Sequence, residues 1–101
     1  MIYSMNSYSK NIIITGVAGF IGAAVAKRLT EHFDKVIGID NLNSYYDPIL
    51  KRERLKNVKD TFDELNSNFI FYEVSLEDNE NLDLIFSKYK PKVLIHMAAQ
   101  A

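Results

Sequence analysis

Three of the four glycines in this chain fall within seven positions, between a β-branched segment and an alanine-rich one. The β-branched segment is Asn11–Thr15, and the glycines that follow it are Gly16, Gly19 and Gly22. Glycine is needed where the backbone turns sharply or where two pieces of chain approach closely, because it has no Cβ. The residues after these glycines place apolar side chains at helical spacing. This stretch therefore predicts a strand, a tight turn and a helix in direct succession.

Strand-like and helix-like segments alternate along the rest of the chain. The predicted strands are short, rich in Val, Ile or Phe, and bounded by turn or charged residues: Asn11–Thr15, Lys35–Ile39, Asn68–Val74 and Lys92–Met97. Such alternation is typical of a parallel sheet with right-handed helical crossovers. We therefore expect one α/β unit with the order β-α-β-α-β-α-β.

Apolar stripes at helical spacing occupy the three intervals between the strands. The first stripe comprises Phe20, Ala24, Val25, Leu29 and Phe33. The second, in a more polar interval, comprises Leu50, Leu55, Val58, Phe62 and Leu65. The third comprises Leu82, Ile85, Phe86 and Tyr89. We expect each stripe to pack against the sheet.

Length and charge narrow the class of protein. The 101 residues predict one small domain, and the net charge of −1 gives no basic field for nucleic acid or an anionic membrane. The chain has no cysteine and two distant histidines, so we expect neither a disulfide nor a metal site. No apolar run approaches the roughly 20 residues of a membrane span. These observations predict a cytoplasmic protein.

The first ten residues, MIYSMNSYSK, lack the charged start and apolar core of a signal peptide. We expect residues 1–10 to be a polar leader, disordered or loosely attached, and residues 11–101 to form the domain.

The glycine turn has the features of a phosphate-binding loop. Glycine lets the backbone approach a pyrophosphate, and the free N–H groups at the start of the next helix bind the anion. Asp40 ends the second predicted strand, 18 residues beyond Gly22, where a carboxylate accepts hydrogen bonds from the adenosine ribose of a dinucleotide. This carboxylate repels the 2′-phosphate of NADP, and no arginine follows it directly, so we expect NAD. The alternative is an ordinary strand–helix turn in which Asp40 caps a loop.

Several segments resemble one known family. TGVAGFIG (residues 15–22) resembles the T-G-x-x-G-F-I-G motif of the extended short-chain dehydrogenase/reductases, which are NAD-dependent nucleotide-sugar epimerases and dehydratases. GIDNLNSYYDPILKRERL (Gly38–Leu55) and LIHMAAQA (Leu94–Ala101) resemble the UDP-glucuronate 4-epimerases within it. FYEVSLEDNENLDLIFSKYKPKVLIH is similar in spacing to the third strand and helix of those enzymes. The resemblance covers residues 11–101.

This resemblance implies part of a Rossmann-like parallel sheet, with the predicted strands in the order 3-2-1-4. It also implies which residues contact NAD: Gly16, Ala18, Gly19, Phe20, Ile21, Gly22, Asp40, Asn41, Asn43, Ser75, Leu76, Ala98, Ala99 and Gln100. One position departs from the family, which usually has an aspartate for the adenine amino group where Ser75 stands here. A hydroxyl accepts a hydrogen bond without charge assistance, so we expect weaker adenine binding.

The resemblance further implies hydride transfer from C4 of a UDP-sugar to NAD, followed by return of the hydride to the other face of a 4-keto intermediate. In this family a Tyr-x-x-x-Lys pair, with a nearby Ser or Thr, transfers the proton. None of the six tyrosines here has a lysine at that spacing. We therefore expect the catalytic and sugar-binding parts to be absent from these residues, and we assign no catalytic residue.

Three functional hypotheses remain open at this point. The first is the NAD-binding part of a UDP-glucuronate-type 4-epimerase, and the second is the same part of a sibling dehydratase or decarboxylase. The third is a non-catalytic nucleotide-binding remnant.

Other residues carry weaker expectations. We expect His96 to be a hydrogen-bonded structural residue and His32 to interact with the last carbonyls of the first helix. A basic cluster on the second helix is expected to be a solvated face, with phosphate contact as the alternative: Lys51, Arg52, Arg54, Lys56 and Lys59. Tyr45 and Tyr46 either pack over the adenosine or close the loop. Gln100 resembles a family residue near the substrate diphosphate.

The expected strand order leaves the fourth predicted strand as an apolar sheet edge and covers one face of the sheet incompletely. We therefore expect the chain to self-associate through that edge and face.

Overall fold

The computed structural model describes residues 2–4, 10–29, 32–42 and 48–97. Its centre is a sheet of five strands: β1 (Ile2–Ser4), β2 (Asn11–Thr15), β3 (Lys35–Asp40), β4 (Asn68–Glu73) and β5 (Val93–His96). The spatial order is β1-β5-β2-β3-β4. The four strands from β2 to β5 are parallel to one another. They confirm the predicted order 3-2-1-4, which corresponds to β4-β3-β2-β5.

The first strand differs from the expectation of a disordered or loosely attached leader. Ile2–Ser4 pairs antiparallel with β5, so that Tyr3 lies opposite Leu94. The β5 edge that we expected to be bare is therefore paired with backbone from the same chain. A bare edge was the wrong expectation, because the hydrogen-bonding groups of β5 already have a partner strand. Self-association of the chain stays a prediction.

Three helices cover the sheet, α1 (Phe20–Arg28), α2 (Pro48–Glu64) and α3 (Asn79–Tyr89). α1 and α2 pack on one face, where Ile12 and Ile14 meet Val58 and Phe62. α3 packs on the other face, where Ile13 is buried with Ile37, Ile39, Ile85 and Tyr89. The alternation of consecutive isoleucines between the two faces follows from the two-residue period of a strand.

The predicted stripe of α1 is partly wrong. Phe20 is 76% exposed and Ala24 is exposed as well, whereas the residues of α1 that are buried are Gly22, Ala23 and Ala26. Small side chains let this helix lie close to the sheet and to the turn before it. Along α2, Val58 and Phe62 are buried as expected, but the two ends of the stripe, Leu50 and Leu65, are exposed.

The third helix matches its predicted stripe. Leu82, Ile85, Phe86 and Tyr89 all belong to the apolar cluster beneath it. The Tyr89 and Tyr72 hydroxyls are 2.6 Å apart, and burial together with this hydrogen bond raises the pKa of Tyr89 to about 12. α3 ends at Lys90, which adopts the left-handed conformation, directly before Pro91.

Within the described residues, no helix combines the length and the apolar character that crossing a membrane requires. The cytoplasmic location stays a prediction.

Candidate functional site

The candidate site lies at the sheet edge where the parallel strands have their carboxyl ends. Thr15, Asp40, Glu73 and His96 are the last residues of β2, β3, β4 and β5. Ligands of open α/β sheets bind outside this edge at a topological switch point, where two neighbouring strands are connected to helices on opposite faces of the sheet. Here the switch point lies between β2 and β5, because α1 and α3 cover opposite faces.

The turn from β2 into α1 is held by backbone hydrogen bonds. The Gly16 and Val17 N–H groups both donate to the Ile39 carbonyl, at 2.8 and 3.4 Å, and Gly19 N–H donates to the Gly16 carbonyl at 3.1 Å. Gly16 has φ +71°, a conformation that favours glycine. A Cβ at Gly16 would also lie 3.0 Å from the Cβ of Met97. The first glycine is therefore required for both conformation and space.

Gly22 and Gly19 differ in what a side chain would meet. A Cβ at Gly22 would lie 2.2 Å from the Gly16 carbonyl oxygen, a distance that no structure tolerates. A Cβ at Gly19 would have one heavy atom of the described chain within 4 Å, the Gly16 oxygen at 3.3 Å. Gly22 thus permits close packing of the helix on the turn, whereas a Cβ at Gly19 would meet a single tight contact in the described part of the chain.

Among the described residues, no side chain caps the N-terminus of α1. Gly19 is the N-cap residue, it makes no capping hydrogen bond, and the first turn contains no acidic residue. The first N–H groups of a helix have no partner within it, and the helix dipole makes this end positive. Phe20 and Ile21 begin the helix with exposed apolar side chains. This end of α1 can therefore bind an anion beside an apolar surface.

Asp40 is fixed beside the turn. One carboxylate oxygen accepts a hydrogen bond from Ala18 N–H at 3.0 Å, and the other accepts one from Leu42 N–H at 2.7 Å. The carbonyl of Asp40 accepts a further bond from Val74 N–H at 3.1 Å. These contacts connect the end of β3 to the glycine turn and to the end of β4. They place the predicted ribose-binding carboxylate next to the predicted phosphate-binding loop.

The basic cluster is not one solvated face. Lys51 lies with its ammonium 3.7 Å from an Asp40 oxygen, and both side chains are 6% exposed. Lys56 and Lys59 are exposed and pair with acids one turn later, as expected for a solvated helix. The expectation of a solvated side chain was therefore wrong for Lys51, because this position faces the sheet edge, where its ammonium lies beside the Asp40 carboxylate.

Arg54 also turns toward the glycine loop. Its guanidinium lies 3.5 Å from the Ala18 carbonyl and 5.8 Å from the centre of the Phe20 ring. Arg54 follows Lys51 by three positions, so the two cations lie on neighbouring parts of one helix face. Both contact the same short segment: Arg54 the Ala18 carbonyl, and Lys51 the carboxylate that accepts from Ala18 N–H.

The remaining predicted site residues are less closely grouped. Asn41 is exposed beside Asp40. The Ser75 hydroxyl accepts a hydrogen bond from Glu77 N–H at 3.2 Å, a contact within its own turn. Leu76 is exposed. Some predicted positions lie outside the described residues: Asn43, Tyr45, Tyr46, Ala98, Ala99 and Gln100.

His96 and Thr15 form a polar contact at the ends of adjacent strands. The Thr15 hydroxyl lies 2.6 Å from His96 Nδ1, and Thr15 pairs with His96 in the parallel register of β2 and β5. This contact confirms that His96 is hydrogen-bonded, and its purely structural role, as opposed to that of a proton carrier, stays a prediction.

Sequence reasoning missed the role of two residues at this site. Lys51 stands at i−4 from Leu55 and i−7 from Val58, which is the buried stripe of α2, so its inward direction had a signal in the spacing. Gly38 lies in the middle of β3, where a Cβ would come within 2.7 Å of the Val17 side chain. This glycine lets the turn pack closely onto the sheet.

Comparison with known proteins supports the family that the sequence motifs predicted. The family model described as GDP-mannose 4,6 dehydratase matches residues 13–101. This chain belongs to that family. It is accordingly a member of the epimerase and dehydratase group of the extended short-chain dehydrogenase/reductases, as the sequence predicted. Membership implies a nicotinamide dinucleotide as the class of cofactor.

Individual relatives are similar over most of this chain. Protein CapI of Staphylococcus aureus is 42% identical over 90 residues, which are 89% of this chain and 25% of CapI. UDP-glucuronate 4-epimerase of Thermodesulfobacterium geofontis is 40% identical over 89 residues, 88% of this chain and 26% of that protein.

A solved structure is similar as well. UDP-glucose 4-epimerase of Thermotoga maritima, solved with UDP-glucose, superimposes with a TM-score of 0.67 at 41% identity, covering 90% of this chain and 25% of that one. The chain thus spans about a quarter of the length of the relatives it matches.

Proposed function

We propose that this chain is the NAD-binding part of a nucleotide-sugar 4-epimerase of the UDP-glucuronate type. The observation that carries the proposal is the hydrogen bond between the Asp40 carboxylate and Ala18 N–H, at 3.0 Å. This bond holds the carboxylate that we propose to bind the ribose against a glycine turn, and the turn opens into a helix that no described side chain caps. A dinucleotide presents a pyrophosphate and an adenosine ribose at neighbouring positions, and these two features match them.

The residues present fit such a cofactor. The N–H groups at the start of α1 would hold the pyrophosphate, since no described side chain caps them and Gly19 has no side chain to obstruct the approach. Asp40 would hold the adenosine ribose. The nicotinamide supplies hydride acceptance and return when it is bound, and the residues of this chain bind and orient it. Among the fourteen predicted contacts, those in the turn and at Asp40 carry the proposal.

The carboxylate of Asp40 supports NAD as the dinucleotide. Its negative charge at the ribose edge disfavours a 2′-phosphate, and its oxygens are already oriented by two backbone N–H groups. A fixed acceptor loses little entropy when a ribose hydroxyl donates to it.

The substrate proposal rests on the relatives. The Thermodesulfobacterium geofontis protein is named a UDP-glucuronate 4-epimerase, and the Thermotoga maritima structure contains UDP-glucose. We therefore propose a UDP-sugar as the partner of the protein that uses this site. The acid–base pair expected in this family, Tyr-x-x-x-Lys, is not among the 101 residues, so the chemistry on the sugar is proposed for a longer protein.

A sibling dehydratase is the second candidate, because the matching family model is described as a GDP-mannose 4,6 dehydratase. The two reactions differ in product mass. Epimerisation leaves the mass of the sugar nucleotide unchanged, whereas dehydration lowers it by one water. The genomic reading frame around this sequence, expressed in full and incubated with NAD and, in parallel, UDP-glucuronate or GDP-mannose, decides between them by mass spectrometry and chromatography, because 4,6-dehydration needs a 6-hydroxyl that UDP-glucuronate lacks. A frame that stops at once would instead support the non-catalytic remnant.

Calorimetric titration of the 101-residue chain with NAD and with NADP tests the binding proposal. We expect NAD to bind and NADP to bind more weakly. Absence of NAD binding, by a chain whose circular dichroism shows it folded, would contradict a cofactor half-site formed by these residues.

A further inference from the structure

We propose that Lys51 weakens the rejection of NADP by Asp40, and that Lys51 binds a 2′-phosphate when the Asp40 side chain carries no charge. This inference rests on the proposed NAD site. The sequence offers no arginine directly after Asp40, which is where a cation for NADP is ordinarily sought. In the structure, the cation beside Asp40 is Lys51, which belongs to the first turns of α2.

The positions of the two charges support this inference. The Lys51 ammonium lies 3.7 Å from an Asp40 oxygen, and both side chains are 6% exposed. In the part of the chain that the structure describes, Asp40 is the acid that faces Lys51. At 3.7 Å the contact is an ion pair and is too long for a good hydrogen bond, so donors of the ammonium remain for another acceptor. The site therefore holds a cation whose charge Asp40 offsets.

The ion pair between Lys51 and Asp40 affects the preference of the site for NAD over NADP. An unpaired Asp40 would reject a 2′-phosphate by its full charge, but a nearby buried cation reduces that repulsion, since charges at this separation interact strongly when poorly solvated. If the carboxylate loses its charge while Lys51 remains, a buried cation without a counter-ion is left. A phosphate group on the ribose would then supply the missing negative charge.

Arg54 adds a second positive charge that also reduces the repulsion between Asp40 and a 2′-phosphate. It lies half-buried three residues after Lys51 and reaches the Ala18 carbonyl. Two cations of α2 thus border the segment between the glycine turn and Asp40, whereas the other cations of the cluster are paired with exposed acids. Of these two cations, Lys51 contacts the Asp40 carboxylate, so we assign the effect on cofactor selectivity to Lys51.

The test compares four forms of the chain: wild type, Asp40→Asn, Lys51→Met and Asp40→Asn/Lys51→Met. Calorimetry measures the ratio of NADP to NAD affinity in each. We expect Asp40→Asn to raise this ratio by roughly ten- to a hundredfold, the size of one charged hydrogen bond. The added Lys51→Met should cancel most of that gain. Asp40→Asn/Lys56→Met is the matched control, because Lys56 is an exposed lysine of the same helix and should leave the gain intact.

Thermal melting tests the pair without any nucleotide. Asp40→Asn leaves a buried ammonium without its carboxylate, so adding Lys51→Met to it should raise Tm. In the wild-type background Lys51→Met should lower Tm. A Tm shift from Lys51→Met that is equal in both backgrounds would overturn the inference, because it would show that the two charges are not coupled.

The failure of this inference differs from failure of the proposed function. If the folded wild type binds neither nucleotide, the proposed function falls and the inference with it. If the wild type binds NAD but Asp40→Asn and Asp40→Asn/Lys51→Met have the same ratio of NADP to NAD affinity, Lys51 has no part in selectivity and this inference alone is overturned.

Discussion

Two helices of this fold begin in opposite ways. At α3, the Asp78 carboxylate accepts a hydrogen bond from Asn81 N–H at 3.2 Å, and Glu80 adds a negative charge to the first turn. At α1, no side chain in the described part of the chain caps the helix, and no acid lies in its first turn. Every helix has N–H groups without partners and a partial positive charge at this end. α3 satisfies them with its own residues, whereas α1 leaves them available to an anion.

The difference teaches that α1 is positioned by packing instead of capping. Gly22 brings the helix against the Gly16 carbonyl, and Ala23 and Ala26 bury the helix on the sheet. Gly19 has φ −73° and ψ 166°, an extended conformation that any residue adopts. Glycine at position 19 is thus not required by the backbone conformation, and we propose that its missing side chain makes room for the pyrophosphate.

The largest effect is expected from Gly22→Ala. The new Cβ would lie 2.2 Å from the Gly16 carbonyl oxygen, and neither backbone can move without separating α1 from the turn. We expect a loss of more than about 3 kcal/mol in the free energy of unfolding, beyond ordinary overpacking. Urea denaturation measures it. Gly19→Ala is the matched control, with a loss of less than about 1 kcal/mol; equal losses at the two positions would contradict the packing argument.

Gly19→Val should abolish NAD binding while the chain stays folded. Its branched side chain would extend into the open space in front of the uncapped helix, where the pyrophosphate is proposed to lie. Calorimetry with NAD checks the affinity, and circular dichroism checks the fold. Ala24→Val adds bulk to an exposed position of α1 and should bind NAD as the wild type does. Unchanged affinity in Gly19→Val would count against the loop assignment.

Asp40→Ala should weaken NAD binding by on the order of 1–3 kcal/mol, the loss of charged hydrogen bonds to the ribose. It also leaves Ala18 N–H and Leu42 N–H without their acceptor, so Tm should fall. Asp34→Ala removes an exposed acid just before β3 and serves as the control for net charge. An affinity loss shared by both variants would show a general charge effect instead of a contact.

Asp78→Ala should give the smallest effect, a modest fall in Tm with NAD affinity unchanged. The side-chain and backbone hydrogen bonds of Asn81 lower the pKa of Asp78 below its ordinary value of 3.8. A carboxylate with a lowered pKa in the folded state contributes stability above its unfolded-state pKa, and this contribution is lost as pH falls through the folded-state value. The Tm difference between wild type and Asp78→Ala should therefore be present at neutral pH and shrink in strong acid. A difference that persists there would show that the charge is not involved.

Much of the fold followed from local patterns. The strands around Ile13, Ile37 and Leu94 and the helix ending at Tyr89 were predictable because burial on a sheet or helix face imposes a period of two or about 3.6 residues. The glycine spacing and Asp40 marked the candidate site, and the structure brings them into hydrogen-bonding contact.

Other features depend on which element lies opposite, and no local pattern contains that information. Ile2–Ser4 looked like a polar leader, but β5 offers it an unpaired edge. Phe20 looked like a core residue, but close packing by Gly22 and Ala23 turns its side chain outward.

The sequence by itself determined the alternating α/β order, the glycine turn and its acid, because each is encoded by neighbours along the chain. Helical spacing places Lys51 on the inward stripe of α2, but only the tertiary structure decided which acid this basic residue meets. Lys51, Lys56 and Lys59 are chemically identical, and two of them find acids one turn away on their own helix. Lys51 is buried against Asp40 because the fold places the start of α2 over the end of β3, and a buried ammonium is stable there only beside a carboxylate.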